Sequence, residues 1–266
     1  MSAQTLQLDT ITMARWASAI SNKIAGAASA AWSSVKKGAA AARLIHGDQS
    51  RAVSDTDKWK EVIVRLDLNI VTNGKLQLAY GTGWFINVPG ATQDIIVTAG
   101  HNLIRPAKDA QSHPERTSEI NIRITNEEGQ IYTETVKPDR YRICKKYELQ
   151  PGPAADSADD YGVILLDRQI VNGVPKPRKA FGYNMVLAAM DLSTPEPGAV
   201  LVGQVGGYPA NTQGAPTERP KFRFAAATFG KHAERQLYYH AGTDQGMSGG
   251  PVWVNFLGHD IAVGIQ

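Results

Sequence analysis

A serine near the C-terminal end of the chain lies in a turn that is rich in glycine. Ser248 is the third residue of the segment 246–251, whose sequence is Gly-Met-Ser-Gly-Gly-Pro. A serine hydroxyl attacks a carbonyl only when a neighbouring base accepts its proton and backbone N–H groups stabilise the charge that develops on the oxygen. Because glycine adopts backbone conformations that other residues resist, such a turn can direct several N–H groups at one point. Ser248 is therefore a candidate nucleophile, with an ordinary glycine-rich hairpin turn as the alternative.

Two upstream motifs contain a possible base and a possible carboxylate. His101 follows the apolar segment 95–99 and a glycine, and Asp160 lies just before the apolar run 162–166, next to a second carboxylate, Asp159. A histidine can accept the serine proton, and an aspartate can orient the imidazole ring. Taken singly, each motif also has a structural interpretation. A lone histidine is more often a packed structural residue, and aspartate before a strand is common turn chemistry.

The order of these residues along the chain separates two hydrolase architectures. The serine turn also matches the G-x-S-x-G nucleophile elbow of α/β-hydrolases, whose order is Ser, Asp, His. Here the order is His101, Asp160 and Ser248, which is that of the chymotrypsin-type barrels. His259 and Asp260 follow the serine too closely for the crossover units of an α/β-hydrolase. The sequence therefore favours a cleft between two β-barrels.

These motifs together resemble those of the trypsin-like serine proteases, and more narrowly those of the glutamyl-endopeptidase branch. Residues 98–101 (TAGH), 160–164 (DYGVI) and 246–251 (GMSGGP) are similar to the histidine, aspartate and nucleophile motifs of that family. The resemblance extends over residues 48–266. Weaker similarities to the family's strand before the histidine, to its second-barrel turn and to its mature N-terminal segment occur at 81–86, 207–209 and 51–59.

The resemblance implies a serine endopeptidase that acts on polypeptides and needs no metal or cofactor. Ser248 is expected to attack the scissile carbonyl, His101 to accept its proton and Asp160 to orient the imidazole. The backbone N–H groups of Gly246 and Ser248 are expected to form the oxyanion hole. Two alternatives remain open: a protease-like binding module that is weak or inactive as an enzyme, and a serine esterase on the same fold.

The resemblance also implies two substrate-binding residues, Thr243 and Gln266. The glutamyl branch binds an acidic side chain through a threonine five residues before the serine, which Thr243 matches, and through a histidine on a later strand. Gln266 replaces that histidine and brings no positive charge. Gly242 stands where tryptic enzymes have their pocket aspartate, so cleavage after Lys or Arg is not expected. Met247 replaces the aspartate that pairs with the new N-terminus of trypsin, which excludes activation by that ion pair.

The segments around the motifs predict mostly β structure. Short apolar runs alternate with Gly and Pro, for example at 62–66, 120–124 and 200–205. The family resemblance implies an all-β fold of two six-stranded-type antiparallel β-barrels, at about 51–170 and about 181–266. The second barrel lacks its closing strand if residue 266 is the last. Residues 172–178 are predicted to be a proline-stiffened connector.

Residues 1–47 are predicted to be a separate helical extension. Apolar residues recur at helical spacing in an alanine-rich segment, at Trp16, Ile20, Ile24, Ala27, Ala31 and Val35. One interpretation is the pro-segment of a zymogen, packed on the protease domain and removed near Arg43. The others are an amphipathic helix that contacts a membrane surface or a partner, and an organellar transit peptide. The family suggests an extracellular location, and without a clear secretory signal an organellar or cytoplasmic one also stays open.

Charge, hydropathy and cysteine content bear on nucleic-acid binding, membrane insertion and disulfide formation. The net charge is +3, but residues 1–47 contain five basic residues and one acid, which leaves 23 basic and 24 acidic residues. We therefore predict no nucleic-acid binding, and no apolar run is long enough to predict a transmembrane segment. Cys144 is the only cysteine, so no intramolecular disulfide can form. Many members of the wider family have a disulfide beside the catalytic histidine, where this chain has Asn102.

Overall fold

The computed structural model describes residues 51–52, 58–72, 75–88, 90–106, 114–126, 128–152, 157–181, 201–210, 222–233, 236–256 and 259–266. The helical extension predicted for residues 1–47 lies outside these ranges.

The described part of the chain is built mainly from β-strands. In chain order they are β1 (Arg51–Ala52), β2 (Ile63–Thr72), β3 (Lys75–Ile86), β4 (Asp94–Thr98), β5 (Ile104–Arg105), β6 (Glu115–Arg116), β7 (Glu119–Thr125), β8 (Ile131–Val136), β9 (Tyr141–Ile143), β10 (Gly162–Leu166), β11 (Gln169–Val171), β12 (Val174–Lys176), β13 (Leu201–Gly207), β14 (Arg223–Ala233), β15 (Gln236–His240), β16 (Pro251–Phe256) and β17 (His259–Ile265). One α-helix, α1 (Lys145–Leu149), and four 3-10 turns, Lys58–Glu61, Gly100–Asn102, Pro138–Arg140 and Ser157–Asp159, connect some of them.

The first sheet has seven antiparallel strands in the order β8-β7-β2-β3-β4-β10-β9. Alternate side chains of a strand point to opposite faces of the sheet, so one face of each strand can fill the core. The isoleucines of β7 follow this pattern, since Ile120, Ile122 and Ile124 are buried between partly exposed neighbours. Ile96 of β4 and Ile164 of β10 lie opposite each other and are also fully buried. The apolar runs predicted at 62–66 and 120–124 therefore contribute to the core of this sheet.

The second sheet has six antiparallel strands, in the order β1-β14-β13-β16-β17, with β15 paired to β14. Its buried side chains form a core cluster of Val205, Ala225, Ala227, Val252 and Val254. The strand β1 belongs here, although the sequence placed its residues at the start of the first barrel. It pairs with β14, through Arg51 opposite Phe224.

Aromatic rings join the two sheets. Trp253 of β16 packs on Trp59, with ring centroids 5.0 Å apart, and on Phe181 at 5.9 Å. Trp59 stacks on Phe181 at 5.2 Å, and Trp84 of β3 meets the edge of Phe181 at 5.5 Å. All four side chains are buried. Such rings contribute a large apolar area, so this cluster fixes how the second sheet lies against the first.

The predicted all-β fold is confirmed, with one difference in a connecting segment. The segment 172–178, predicted as a proline-stiffened connector, contributes β12 to the hairpin β11–β12. Its turn residues, Asn172 and Gly173, have φ angles of 53° and 77°. An Asn-Gly pair favours positive φ at both central positions of a tight hairpin turn, and this preference outweighs the proline in an exposed two-stranded unit. In the described ranges no helix has the length and apolar character that crossing a membrane requires.

Candidate active site

The pairing of β4 with β10 brings the histidine and aspartate motifs together. β4 ends at Thr98, and Gly162 at the beginning of β10 pairs with it in antiparallel register. His101 lies in the 3-10 turn Gly100–Asn102 that follows β4. Because the strands run in opposite directions, the residues after β4 and those before β10 meet at the same edge of the sheet. Asp160, two residues before β10, therefore lies beside His101.

The Asp160 carboxylate holds His101 through both of its oxygens. The ring Nδ1 of His101 lies 2.7 Å from Asp160 Oδ2, and the His101 backbone N–H donates to Asp160 Oδ1 at 2.8 Å. A carboxylate can only accept hydrogen bonds, so Nδ1 donates, and in the neutral ring Nε2 is left as an acceptor. The His101 side chain is 40% exposed and the Asp160 side chain 23%. The imidazole thus has a fixed orientation and an accessible basic nitrogen.

The neighbouring carboxylate, Asp159, has a different environment. Its side chain is buried, and its Oδ1 lies 3.9 Å from Cys144 Sγ. The structure therefore distinguishes the two candidates, since Asp160 contacts the imidazole and Asp159 contacts the thiol.

A glycine makes room for the carboxylate next to the histidine. A Cβ atom on Gly100 would lie 3.0 Å from Asp160 Oδ1 and 2.9 Å from Cδ1 of Tyr147, which is tighter than ordinary contact. Burial of the Tyr147 hydroxyl raises its pKa, and the charge of Asp160 adds to this rise. The tyrosine therefore keeps its proton at physiological pH and adds no negative charge beside Asp160.

Ser248 lies in the turn between β15 and β16, and its backbone is bound to the first sheet. The Ser248 carbonyl accepts a hydrogen bond of 2.9 Å from the Thr82 N–H of β3 and another of 2.9 Å from Nδ2 of Asn102. Asn102 is the residue next to His101, so a side chain from the histidine turn contacts the candidate nucleophile, Ser248. Ser248 is partly exposed. The two motifs, 147 positions apart in the chain, are thus neighbours in space.

Gly249 is needed where this turn meets β4. Its φ is +87°, a conformation that favours glycine, and a Cβ atom there would overlap Thr98 Oγ1 and Thr82 O. The Gly249 N–H donates to the Gln266 carbonyl at 2.7 Å, and the Gln266 N–H donates to the Gly250 carbonyl at 2.9 Å. The turn is therefore packed between β4 on one side and the residue that follows β17 on the other.

The peptide units of the turn have fixed directions. The Gln245 carbonyl accepts from the Ala210 N–H at 2.6 Å. In a trans peptide the N–H points opposite to the carbonyl, so this bond directs the Gly246 N–H away from Ala210. Gly246 itself has a φ of +94°. Its carbonyl accepts a hydrogen bond of 2.9 Å from Thr82 Oγ1.

The peptide unit that precedes Ser248 also has a fixed direction. The Met247 carbonyl accepts from the Gly250 N–H at 2.9 Å, which turns the Ser248 N–H in the opposite direction. Within the ranges given above, neither the Gly246 nor the Ser248 N–H donates to a backbone carbonyl. Both groups can therefore donate to a further acceptor at this site.

Met247 orders the turn without an ion pair. The sequence excluded the aspartate–N-terminus pair of trypsin, and the structure has a fully buried methionine at this position. Its Sδ accepts the Asp244 N–H at 3.4 Å, and its own N–H donates to the Asp244 carbonyl at 3.1 Å. Gly207 lies directly against it, since a Cβ there would be 2.9 Å from Met247 Cα. Packing and two hydrogen bonds to Asp244 thus hold Met247 in the turn.

The two expected substrate-binding residues have different surroundings. Thr243 is exposed in the segment between β15 and β16. Gln266 is bound through its backbone to Gly249 and Gly250, and its side-chain Oε1 is buried with no hydrogen-bond partner in the described part of the chain. Gln266 is therefore beside the nucleophile turn, and its amide carries an unused acceptor.

Sequence reasoning missed the residues that connect the motifs. Thr82, Thr98 and Asn102 are polar and almost completely buried, at 0%, 0% and 3% exposure. The sequence carried a signal for them, because all three lie in or beside the motifs at 81–86 and 98–101 without an obvious catalytic role. Among the described residues, no group of three or more His, Cys, Asp or Glu side chains is arranged to hold a metal ion.

No family model matches the chain, and no curated protein matches it. Among solved structures it is similar to a thermostable serine protease, AL20, from an extremophilic microorganism, with 15% identity, a TM-score of 0.47 and coverage of 78% of this chain and 84% of that one. It is also similar to a Glu endopeptidase in complex with MPD, with 15% identity, a TM-score of 0.47 and coverage of 84% of this chain and 86% of that one.

Proposed function

We propose that this chain is a serine endopeptidase that cleaves polypeptides through an acyl-enzyme intermediate. The observation that carries this proposal is the pair of hydrogen bonds from His101 to the two oxygens of Asp160, at 2.7 and 2.8 Å, beside a serine turn bound to the same edge of the sheet. This arrangement supports a general base of fixed tautomer next to a candidate nucleophile.

In the first half-reaction, Ser248 Oγ attacks the carbonyl carbon of the scissile bond while His101 Nε2 accepts the hydroxyl proton. Asp160 stabilises the imidazolium that forms. The carbonyl oxygen becomes an oxyanion and accepts hydrogen bonds from the Gly246 and Ser248 N–H groups. One such donor is worth about 3–4 kcal/mol of barrier. When the carbon–nitrogen bond breaks, His101 gives its proton to the leaving amine.

In the second half-reaction, a water molecule attacks the acyl-enzyme. His101 accepts a proton from the water, and the C–O bond to Ser248 then breaks as the same proton returns to the serine oxygen. The chain ends the cycle in its original protonation state, with a carboxylic acid product. No metal or cofactor is needed for either step.

We further propose that Thr243 and Gln266 contact the side chain that precedes the cleaved bond. Gln266 can supply an amide donor and an amide acceptor to the substrate but no positive charge. An acidic substrate side chain would therefore gain hydrogen bonds without an ion pair. The cleavage sites that the protein leaves in an unfolded protein mixture measure this preference directly.

Reaction with a fluorophosphonate probe tests the nucleophile. We expect the wild-type chain to be labelled at Ser248, and Ser248→Ala to abolish labelling and peptide hydrolysis. Ser118→Ala is the matched control, because it removes an exposed hydroxyl that lies outside the three motifs and donates to the Asn69 carbonyl at 2.8 Å. Absence of labelling in the wild type would favour a binding module. Labelling with hydrolysis of esters but not of peptides would favour an esterase.

The proposed pro-segment has a separate test. N-terminal sequencing of the purified active protein is expected to give a chain that begins near or shortly after Arg43. An active protein that still begins near Met1 would show that residues 1–47 are not removed.

A further inference from the structure

The Asn102 side chain has no part in the chemistry described so far, yet it is buried between the histidine and serine motifs. Its Nδ2 donates to the Ser248 carbonyl at 2.9 Å and to Thr98 Oγ1 at 2.9 Å. The first acceptor belongs to the candidate nucleophile residue, and the second belongs to β4, the strand that leads to His101. One amide group thus connects both catalytic motifs.

Thr82 makes a second connection from the same sheet. Its N–H donates to the Ser248 carbonyl at 2.9 Å, and its Oγ1 donates to the Gly246 carbonyl at 2.9 Å. The same Oγ1 accepts the Tyr208 N–H at 2.9 Å, and the Thr82 carbonyl accepts Thr98 Oγ1 at 2.7 Å. Every polar group of this fully buried residue is therefore used, and two of them hold the serine turn.

These bonds determine the direction of the serine side chain. The peptide unit before Ser248 is fixed by the hydrogen bond from Gly250 to Met247, and the unit after it is fixed by Thr82 and Asn102 at the Ser248 carbonyl. When both peptide planes beside a residue are fixed, its φ and ψ are fixed, and the Cα–Cβ bond has one direction. The direction of the Ser248 side chain thus depends on these two donors and, through the neighbouring Gly246 carbonyl, on the Thr82 hydroxyl.

No disulfide can connect the histidine and serine motifs in this chain, because its only cysteine is Cys144. Asn102 occupies the position beside the histidine, and Gly81 faces it. A Cβ atom on Gly81 would lie 2.6 Å from Asn102 Nδ2, so the glycine leaves the space that the amide fills. A buried hydrogen bond is strong when made and costly to leave unmade, so loss of the amide leaves part of the Ser248 carbonyl's bonding unsatisfied.

We propose that Asn102 and Thr82 are positioning residues that hold Ser248 in register with His101. This inference rests on the proposed function for its catalytic consequence, although the ordering of the turn does not depend on it. The variants Asn102→Ala and Thr82→Val each remove one side-chain donor to the turn. Thr82→Ser keeps the hydroxyl and is the conservative counterpart. Tyr141→Phe is the matched control, because it removes a buried hydroxyl that donates to the Thr117 carbonyl at 2.7 Å rather than to the serine turn.

Amide hydrogen exchange measures the ordering without requiring activity. The N–H groups of Met247, Gly249 and Gly250 all donate within or beside the serine turn. We expect them to exchange about tenfold faster in Asn102→Ala and Thr82→Val, and at the wild-type rate in Thr82→Ser and Tyr141→Phe. Wild-type exchange in the first two variants would overturn the inference. So would equal acceleration in Tyr141→Phe, because the effect would then be general destabilisation.

The rate of fluorophosphonate labelling measures the catalytic consequence. We expect labelling to slow by about 10–100-fold in Asn102→Ala and Thr82→Val, since small misplacements of reacting groups have effects of this size. The values of kcat are expected to fall while KM stays near the wild-type value. Labelling of both variants at the wild-type rate would overturn the positioning role but leave the protease proposal intact. A wild-type protein that is not labelled would remove the protease proposal, and the exchange rates would still decide whether the two donors order the turn.

Discussion

Replacement of Asp160 by asparagine tests the histidine geometry more directly than removal of the histidine would. The asparagine side chain has nearly the same size and shape as the aspartate that it replaces. The His101 backbone N–H, now 2.8 Å from Oδ1, needs an acceptor, so the amide oxygen is expected to face it. The amide NH₂ must then face the ring at the position of Oδ2, which is 2.7 Å from Nδ1. An NH₂ group donates, so Nδ1 has to become the acceptor and Nε2 has to carry the proton.

The substitution therefore selects the tautomer that cannot accept a proton from Ser248. A change of this kind in a Ser-His-Asp triad lowers kcat by about 10⁴-fold. At about 1.36 kcal/mol per tenfold, this corresponds to about 5.5 kcal/mol of activation free energy. We expect peptide hydrolysis and fluorophosphonate labelling to fall together, with little change in KM, because both Asp160 oxygens bind His101. A thermal unfolding midpoint close to that of the wild type would show that the fold is retained.

Asp159→Asn is the control for this experiment. The neighbouring carboxylate has the same chemistry but faces Cys144 Sγ at 3.9 Å. We expect this variant to keep wild-type kcat, whatever its effect on the unfolding midpoint. A kcat within tenfold of wild type in Asp160→Asn, or a larger loss in Asp159→Asn, would refute the assignment of Asp160 as the orienting carboxylate.

Three further predictions concern packing and ionisation. Gly249→Ala is expected to destabilise the protein and stop fluorophosphonate labelling, because at a φ of +87° its Cβ would overlap two residues of the first sheet. Gly129→Ala is the control. Its φ is +76° but the space around it is open, so it should lower the free energy of unfolding in urea by only about 1–2 kcal/mol. Trp253→Ala should cost about 3–5 kcal/mol of unfolding free energy because it empties the aromatic junction, whereas Leu78→Ala, at 54% exposure, should cost little. Burial raises the pKa of Tyr141 from 10.0 to about 12. A raised folded-state pKa contributes stability that is present below pH 10 and is lost as the pH rises towards 12. The unfolding free energy of the wild type should therefore fall with pH between 10 and 12, and it should fall less steeply in Tyr141→Phe.

The sequence predicted the parts of the site that depend on strand order and local pattern. β4 and β10 were visible as apolar runs, each next to one polar motif. The contact between His101 and Asp160 needed one further condition, that the two runs pair antiparallel with Thr98 opposite Gly162. The family resemblance implies that the two residues meet, but it does not specify this register. The choice of Asp160 over Asp159 rests on the resemblance as well, because Asp160 is the residue that matches the family's aspartate motif.

The sequence could not predict the bonds that depend on how the two sheets meet. Thr82 and Gly246 are 164 positions apart, and Asn102 and Ser248 are 146 apart. Neither pair belongs to a strand ladder or a turn type, so no periodicity records it. These contacts exist because the aromatic cluster around Trp253 sets the position of the second sheet. The hairpin at 169–176 differs for another reason, because its segment carries opposed signals: prolines that favour an irregular connector and an Asn-Gly pair that favours a tight turn.

The hydrogen bonds that order the serine turn bear on how the proposed enzyme is activated. In an enzyme whose oxyanion loop depends on an ion pair with a new N-terminus, cleavage of the chain creates the site. Here Met247 is fully buried in the place of the charged partner, and Thr82 and Asn102 bind the Gly246 and Ser248 carbonyls. All of these groups lie within residues 82–248, so the turn has its hydrogen bonds independently of any N-terminal ammonium. We therefore expect the hydrogen bonds of the serine turn to be present whether or not residues 1–47 are removed.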